Sequence, residues 1–359
     1  MADRGQRRAG RPLIVLTSMR AERSTTNPYV VQLNRLLADR VEMRTFSWWA
    51  ALGGRYDVLH VHWPDAMLRR PSAARTALAS AAFVLVLARI FVTRRAVVRT
   101  LHNVEPHEKQ QRVVRLALGL CDASTRVWIR LNDHTPIRAG GVAVTIPHGT
   151  YTQWFANLSH PAPIPGRLLY LGLLRPYKGV DTLIEQFAAV EDLAATLRVI
   201  GSPAEPRFAD AVRALAAGDP RVFLDLRHVP DDEMVSEIGA AAMVVLPYRE
   251  MHNSGVALLA LSLARPILVP DNDVTRDLAA EVGPGWVQTF VGEITAEVLA
   301  DAIAHAGTAE GQPDLSARGW DDIADRHVTA FRLAEQAARP RSAAAVLRIG
   351  AGGSGQVQR

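Results

Sequence analysis

Short apolar runs alternate with amphipathic stretches along most of the chain, as expected for strands that alternate with helices. A helix with apolar residues spaced three and four apart is predicted at 29–39. Runs that are apolar throughout, without alternation, are typical of parallel strands covered on both faces. In the first half, short buried strands are predicted at 13–17, 43–47, 58–63, 97–102 and 142–147. The first half is therefore predicted to form a doubly wound α/β domain.

The second half repeats the pattern after a proline-rich segment. Strands are predicted at 168–174, 195–200, 222–226, 243–247 and 266–270. The predicted division is a first domain at 1–158, a linker at 159–165, a second domain at 166–315, a closing helix within 316–338 and a disordered tail at 339–359. Ligands of such sheets bind at the carboxyl ends of the strands. We therefore expect an α/β fold with two doubly wound, Rossmann-like domains facing across a cleft.

Positive charge consists almost wholly of arginine and is concentrated in the first half. Only two of the 41 basic residues are lysines, Lys109 and Lys178. Residues 1–158 carry 23 basic against 10 acidic side chains, a net +13, whereas 159–359 carry 18 against 26, a net −8. A GC-rich genome would explain arginine over lysine but not this asymmetry. An anionic membrane surface, worth about 1 kcal/mol per nearby cation, fits it. Nucleic acid is not expected, since no nucleic-acid-binding motif accompanies the arginines.

The cellular compartment is predicted from the cysteine content and the first residues. Cys121 is the single cysteine, which excludes an internal disulfide and fits a reducing compartment. The apolar run at 13–16 is too short for a signal sequence. We expect a cytoplasmic protein, peripheral at the inner face of the plasma membrane.

The segment 168–187 (LLYLGLLRPYKGVDTLIEQF) has the pattern of a phosphate site. A strand is followed by a loop with Arg175 and Lys178, then by Gly179 and an apolar-periodic helix. Helix N–H groups, an arginine fork and a compact lysine charge together suit phosphate oxygens. A solvated turn with two exposed cations is the alternative.

Two histidine-containing loops follow strands of the first domain. One reads His60-Val61-His62-Trp63-Pro64-Asp65, and the other begins His102-Asn103 and continues through Glu105 to Glu108. A histidine at a strand end can bind a sugar hydroxyl or carry a proton. Because both loops should open into the cleft, we expect them to act together; simple turn capping is the alternative.

The segment 251–255 precedes a helix predicted at 256–263 in the second domain. Asn253 and Ser254 are good helix caps, and Gly255 would let a phosphate approach the backbone. No charge lies on the first turn, so the helix dipole is available to an anion. The alternative is that these residues only cap the helix and bind no anion.

With these motifs the chain resembles the GT-B nucleotide-sugar glycosyltransferases that build bacterial polysaccharides and glycolipids, over about residues 12–338. In that family a strand, an "R…KG" loop and a helix hold the donor diphosphate, and Arg175 and Lys178 match that loop. The "IPNG" motif appears as Ile146-Pro147-His148-Gly149, and the loop facing the donor sugar as His102-Asn103. The nucleobase loop matches at His228-Val229-Pro230.

The chain departs from the sequence pattern of that family in the helix predicted at 256–263. Relatives carry a pair of glutamates, the second opening "LEAMA" and holding the ribose, whereas this chain has LLALS at 258–262. Ribose recognition must therefore differ, and the retaining mechanism does not transfer. The loops around His62 and His102 resemble those of a divergent branch with bacterial mannosyltransferases acting on lipid-linked oligosaccharides.

The segment 77–92 is apolar and flanked by arginines. It is too short to span a membrane and is interrupted by Arg89. One prediction is an interfacial helix beside the acceptor site, with Phe83, Leu87 and Phe91 toward lipid. The other is a helix buried against the first sheet.

The predicted function is transfer of a sugar, such as mannose, from a nucleoside-diphosphate sugar to a lipid-linked or saccharide acceptor. The cations replace a metal, and no cofactor is expected. A GT-B epimerase or phosphorylase and a degenerate binding subunit of a polysaccharide assembly complex are the alternatives. The catalytic candidates are His102, Asp65, Glu105 and Glu108. The predicted donor-binding residues are Arg175, Lys178, Gly179, His228, Val229, Asn253, Ser254 and Gly255. Those for the acceptor are Asn27, His62 and Asn103.

Overall fold

The computed structural model describes residues 11–22, 26–102, 111–137, 141–249 and 251–338. Its strands form two six-stranded sheets in which all pairs are parallel. Helices cover both faces of each sheet, so the predicted two-domain α/β fold is confirmed.

The first sheet has the strand order β2-β1-β3-β4-β5-β6. Its strands are β1 (Ile14–Thr17), β2 (Glu42–Arg44), β3 (Val58–Val61), β4 (Ala96–Leu101), β5 (Thr125–Arg130) and β6 (Val142–Thr145). Its helices are α1 (Pro28–Ala38), α2 (Trp48–Gly53), α3 (Pro64–Leu68), α4 (Ala73–Val92) and α5 (Arg112–Ser124). The order reverses between β1 and β3, which opens a crevice at their carboxyl ends.

The second sheet has the order β12-β11-β10-β7-β8-β9 and reverses between β7 and β10. Its strands are β7 (Arg167–Leu171), β8 (Thr196–Ile200), β9 (Val222–Asp225), β10 (Met243–Val245), β11 (Ile267–Pro270) and β12 (Val287–Phe290). Its helices are α6 (Val180–Phe187), α7 (Pro206–Ala216), α8 (Asp231–Ala240), α9 (Gly255–Ser262), α10 (Asp273–Val282) and α11 (Ala296–His305). This is the strand order of dinucleotide-binding domains.

The sequence pattern missed two strands, β5 and β12. Arg126 and Arg130 interrupt the apolar run of β5, and Gln288 and Thr289 occupy half of β12. Both strands are stabilised by pairing with more apolar neighbours, β4 and β11. Strand formation at these positions depends on tertiary pairing rather than on local apolar character.

The last helix, α12 (Trp320–Ala338), returns from the second domain to the first. Trp320 and Phe331 are buried in the same core as Val98 of β4. Arg40, two residues after α1, contacts Asp321 and Asp325 of α12 at 2.9 and 2.6 Å. The helix therefore ties the two domains together.

Helix α4 has one buried and one exposed face. Phe83, Val86 and Ile90 pack into the first domain, whereas Leu78 and Leu85 are 72% and 61% exposed. The expectation that Phe83 and Leu87 face lipid is wrong, because both lie in the core; Phe91 is 78% exposed. With 20 residues α4 is longer than the predicted segment, and by length and composition it could cross a membrane, so the expectation that it is too short is wrong. The core helix of a soluble protein passes the same test.

Candidate functional site

The loop after β7 builds a cationic corner at the reversal point of the second sheet. Arg175 precedes a 3-10 turn, Pro176–Lys178, and Gly179 then begins α6. Gly179 has φ +65°, and a Cβ there would lie 2.2 Å from the Pro247 carbonyl oxygen. Only glycine fits this left-handed, crowded position, so it fixes the direction of the preceding cations.

Lys178 is held against an aromatic ring at this corner. Its Nζ lies 4.7 Å from the centroid of the Tyr248 ring and donates to the Tyr248 hydroxyl at 3.2 Å. Burial lowers the pKa of Lys178, and the Arg175 cation adds to that shift. Among the described residues no carboxylate forms an ion pair with Lys178. An anion bound here would restore the charge balance that burial disturbs.

The start of α9 lies beside Lys178. Ser254 caps the helix by accepting from the Ala257 N–H at 3.2 Å, and its side chain also hydrogen-bonds Tyr248. No acidic residue lies on the first turn. Lys178, Tyr248 and the helix N-terminus thus form one contiguous surface suited to a diphosphate.

Two histidines meet at the carboxyl ends of β3 and β4 in the first domain. Nδ1 of His62 lies 3.0 Å from Nε2 of His102. The Trp63 ring stacks on His102, with centroids 4.0 Å apart and planes inclined by 22°. This packing fixes both imidazole rings.

Burial keeps both histidines neutral. Desolvation lowers the pKa of His62 to about 3 and that of His102 well below its usual range. At neutral pH one imidazole therefore donates its N–H and the other accepts. A neutral imidazole can also accept a hydrogen bond or a proton from a bound ligand.

A cavity of about 290 Å³ opens beside this pair, at the reversal point of the first sheet. Its lining includes Ser18 and Met19, which follow β1, and His62 and Trp63, which follow β3. Asn27 lies at the rim and caps α1 by accepting from the Tyr29 N–H at 2.9 Å. The cavity has the size and mixed polarity of a small-molecule site.

The two reversal points face each other and are hydrogen-bonded across the cleft. Nδ2 of Asn253 donates to the His102 carbonyl at 3.1 Å, and Asn132 donates to Oδ1 of Asn253 at 3.0 Å. His134 of the first domain contacts Asp277 of the second at 2.7 Å. The cationic corner and the histidine pair therefore line one cleft.

The structure brings together the candidates His62, His102, Lys178, Ser254 and Gly255. Asp65 lies on α3, 3.5 Å from Arg69, and does not line the cavity beside His62. His228 is exposed and Val229 buried in the loop after β9. Asn103, Glu105 and Glu108 lie outside the described residues.

The pattern analysis missed three contributors to the cleft. Tyr248 orients Lys178, Trp63 stacks on His102, and Asn132 holds Asn253. Trp63 and Tyr248 each follow a strand by a few residues, a position that signals the carboxyl edge of a sheet. Asn132 had no comparable signal, because β5 was not recognised.

Two Rossmann-like domains that face each other across a cleft define the GT-B class of fold. A family model described as "Glycosyl transferases group 1" matches residues 165–307. A GDP-mannose:glycolipid 4-beta-D-mannosyltransferase of Xanthomonas campestris pv. campestris is 43% identical over 328 residues, covering 90% of this chain and 94% of that protein. The chain belongs to the group 1 glycosyltransferase family and is a glycosyltransferase.

Solved structures share the fold at low sequence identity. HepE of Anabaena, in complex with UDP-glucose, superposes with a TM-score of 0.59 at 14% identity, over 91% of this chain and 99% of HepE. AviGT4, a glycosyltransferase of avilamycin A biosynthesis, has a TM-score of 0.55 at 14% identity, with coverage of 91% and 99%. Both likenesses support the GT-B architecture.

Proposed function

We propose that the protein transfers mannose from GDP-mannose to a hydroxyl group of a glycolipid and forms a β-linked product. The relative that is 43% identical over 90% of the chain carries this activity in its name. The observation that carries the proposal is the convergence of Arg175, Lys178 and the α9 N-terminus at the reversal point of the second sheet.

A β-linked product implies inversion, because GDP-mannose carries an α-linked mannosyl group. In a single displacement the acceptor oxygen bonds to the anomeric carbon while the bond to the diphosphate breaks and GDP departs. The proton of the acceptor hydroxyl passes to a group of the protein. The run of leucine and alanine at 258–261, where relatives of the retaining type carry a glutamate, is consistent with this stereochemistry.

The second domain would stabilise the departing GDP. Negative charge grows on the diphosphate in the transition state, and Arg175, Lys178 and the α9 N–H groups would lie ready to receive it. Since these fixed cations perform the role that a divalent metal plays elsewhere, we propose that the reaction needs no metal or other cofactor. His228 and Val229 would contact the guanine.

The first domain would bind the acceptor. The cavity beside His62 would take the acceptor sugar, with Asn27 among its lining residues, and His102 would contact the mannosyl group. We propose Asn103 as a further acceptor-binding residue. For the proton acceptor we propose a carboxylate of the first domain, with Asp65, Glu105 and Glu108 as the candidates. General-base catalysis requires such a group within hydrogen-bond reach of the hydroxyl.

We further propose that the enzyme works at the cytoplasmic face of an anionic membrane, where a glycolipid acceptor resides. Two observations support this: the exposed apolar stripe of α4, with Leu78, Leu85 and Val92, and the net +13 charge of residues 1–158. A helix with one apolar face in the core and another in solvent can lie in the lipid interface. Leu78→Gln/Leu85→Gln should weaken vesicle binding even at high salt.

The direct test uses purified full-length protein with GDP-mannose and a glycolipid acceptor. We expect labelled mannose in the lipid fraction, a β anomeric signal in the product by NMR, and no transfer from UDP-glucose. Transfer from another nucleotide sugar, or an α-linked product, would overturn the donor or the stereochemical assignment respectively. Donor binding without any transfer would favour the binding-subunit alternative.

A further inference from the structure

A second polar cavity, of about 340 Å³, lies at the opposite end of the first sheet from the catalytic cleft. It is formed where β1, β3 and β4 begin and where α4 and α12 end. Its charged lining consists of Arg11, Arg55, Arg94, Arg95, Asp57 and Glu335. The mechanism proposed above uses none of these residues.

Two arginines hold one wall of this cavity rigid. The Arg95 guanidinium lies 4.3 Å from the centroid of the Tyr56 ring and donates to the Gly54 carbonyl at 3.1 Å. Arg89 donates to the same carbonyl at 2.7 Å, and its guanidinium lies 5.4 Å from the centroid of the same ring. The Arg95 guanidinium, which lines the cavity, is thus held in place before any ligand arrives, and this reduces the entropy lost on binding.

The carboxylates at the cavity do not balance its cations. Both oxygens of Asp57 are engaged, one with Arg11 at 2.7 Å and the other with the Ile14 N–H at 2.9 Å. Arg55 and Arg94 are exposed and form no ion pair with a carboxylate within the part of the chain that the structure describes. Their forked donors match the oxygens of a phosphate group.

Arg94 also stands where a helix normally ends in glycine. The Arg94 and Arg95 N–H groups donate to the Phe91 and Ile90 carbonyls at 3.2 and 3.0 Å, and Arg94 has φ +52°. This is the hydrogen-bond pattern of a helix end that favours glycine in the left-handed position. Arg94 itself lines the cavity.

Two apolar side chains directly precede Thr93 and Arg94 of the cavity lining. They are Phe91 and Val92 at the end of α4, which are 78% and 77% exposed. Arg89 ties α4 to α2 by donating to the Ala51 carbonyl at 3.0 Å. Aromatic and aliphatic groups beside cations are the composition of a surface at the lipid–water boundary.

We propose that this cavity binds the phosphate of an anionic phospholipid headgroup while Phe91 and Val92 enter the adjacent lipid. The inference deepens the proposed membrane location and rests on it. A lipid phosphate is favoured over a free one because the apolar groups adjoin the cavity. With α4 along the membrane, the headgroup site fixes one end of the helix, and the mouth of the cleft lies at the other.

The test compares two double variants of equal charge, Arg55→Gln/Arg94→Gln and Arg207→Gln/Arg213→Gln. The second pair lies on α7 of the other domain. Binding is measured by flotation with phosphatidylcholine vesicles, with and without phosphatidylglycerol. We expect the first pair to weaken binding to phosphatidylglycerol vesicles about 30-fold, since each cation is worth about fivefold there. The second pair should change it less than about threefold.

Three outcomes would overturn the proposal. Equal losses in both double variants would show that only overall charge matters. Unchanged vesicle binding together with tight binding of inorganic phosphate, abolished in Arg55→Gln/Arg94→Gln, would assign the cavity to a free anion. Unchanged binding of both vesicles and phosphate would leave the cavity without a ligand role. Because these assays contain no donor, a failure of the mannosyl-transfer proposal would appear separately, as absent turnover with vesicle binding intact.

Discussion

The side-chain amide of Asn253 donates to the main-chain carbonyl of His102 at 3.1 Å, and this bond joins the two domains at the centre of the cleft. Nδ2 of Asn132 donates to the side-chain oxygen of the same amide, Oδ1 of Asn253, at 3.0 Å. A residue expected to contact the donor is thus also positioned to couple the cationic corner to the histidine pair.

We expect Asn253→Ala to lower kcat/KM about tenfold or more, because a buried polar group left without a partner costs roughly 1–3 kcal/mol. The coupling is measured by a double-mutant cycle with Asn132→Ala. If Asn253 acts through Asn132, the double variant should lose little more than the worse single variant. Fully additive losses would show that the two amides work independently.

Lys178→Ala and Arg175→Ala should each lower kcat/KM roughly 10- to 150-fold, as expected for one lost charge-assisted contact worth about 1.5–3 kcal/mol. The thermal unfolding midpoint should change little. Tyr248→Phe is the matched control, since it keeps the ring under Lys178 and removes only the hydroxyl. Near-normal kcat/KM in both cation variants would refute the diphosphate assignment.

Gly179→Ala should destabilise the second domain and abolish activity. The left-handed φ of +65° alone costs about 1–2 kcal/mol for alanine. The clash with the Pro247 carbonyl adds a further 1–3 kcal/mol, roughly. Gly292→Ala separates the two effects, because Gly292 has φ +78° but open space around its Cβ position. Equal losses of unfolding free energy in the two variants would show that the loop relaxes away from Pro247.

Stability should fall steeply as the pH drops below about 6.5. Burial lowers the pKa of His62 to about 3 and the pKa values of His148 and His327 to about 4. Between these two pKa values the unfolded chain binds protons that the folded chain does not. The contribution of these histidines to the free energy of unfolding is therefore complete above the pKa of the unfolded chain, and it is lost as the pH falls toward the pKa of the folded chain. At pH 5 each of these histidines should cost about 2 kcal/mol.

His327→Leu should reduce the loss of unfolding free energy between pH 7 and pH 5 by about 2 kcal/mol, as measured by urea titration. His327 is fully buried in α12, where its Nδ1 lies 2.7 Å from the Ile323 carbonyl. A wild-type slope in His327→Leu would show that other groups control the acid transition.

Turnover should survive exhaustive treatment with EDTA, because Arg175 and Lys178 provide the positive charge at the diphosphate. The candidate Asp-x-Asp pair for a metal in the second domain is Asp271 and Asp273. Both carboxylates form ion pairs with Arg276, at 2.9 and 2.7 Å. Within the described residues no three metal-ligating side chains come together. Loss of turnover in EDTA with recovery on adding Mg²⁺ or Mn²⁺ would refute this prediction.

The sequence by itself determined the features that contiguous residues encode. Apolar runs and helical periodicity depend on neighbouring side chains, so the two-domain α/β fold and α12 were predictable. The strand, the cations and Gly179 of the phosphate motif likewise lie within one short segment. Composition revealed the charge asymmetry between the two halves of the chain.

Only the tertiary structure decided the contacts between distant segments. His62 and His102 lie on different strands, and their pairing depends on β3 adjoining β4. Asn253 contacts His102 only because the two domains lie against each other. Strand β5 forms because it pairs with β4. The tertiary structure also determines which face of α4 is exposed. Because α4 has apolar residues on several sides, its sequence does not show which side packs against the first sheet.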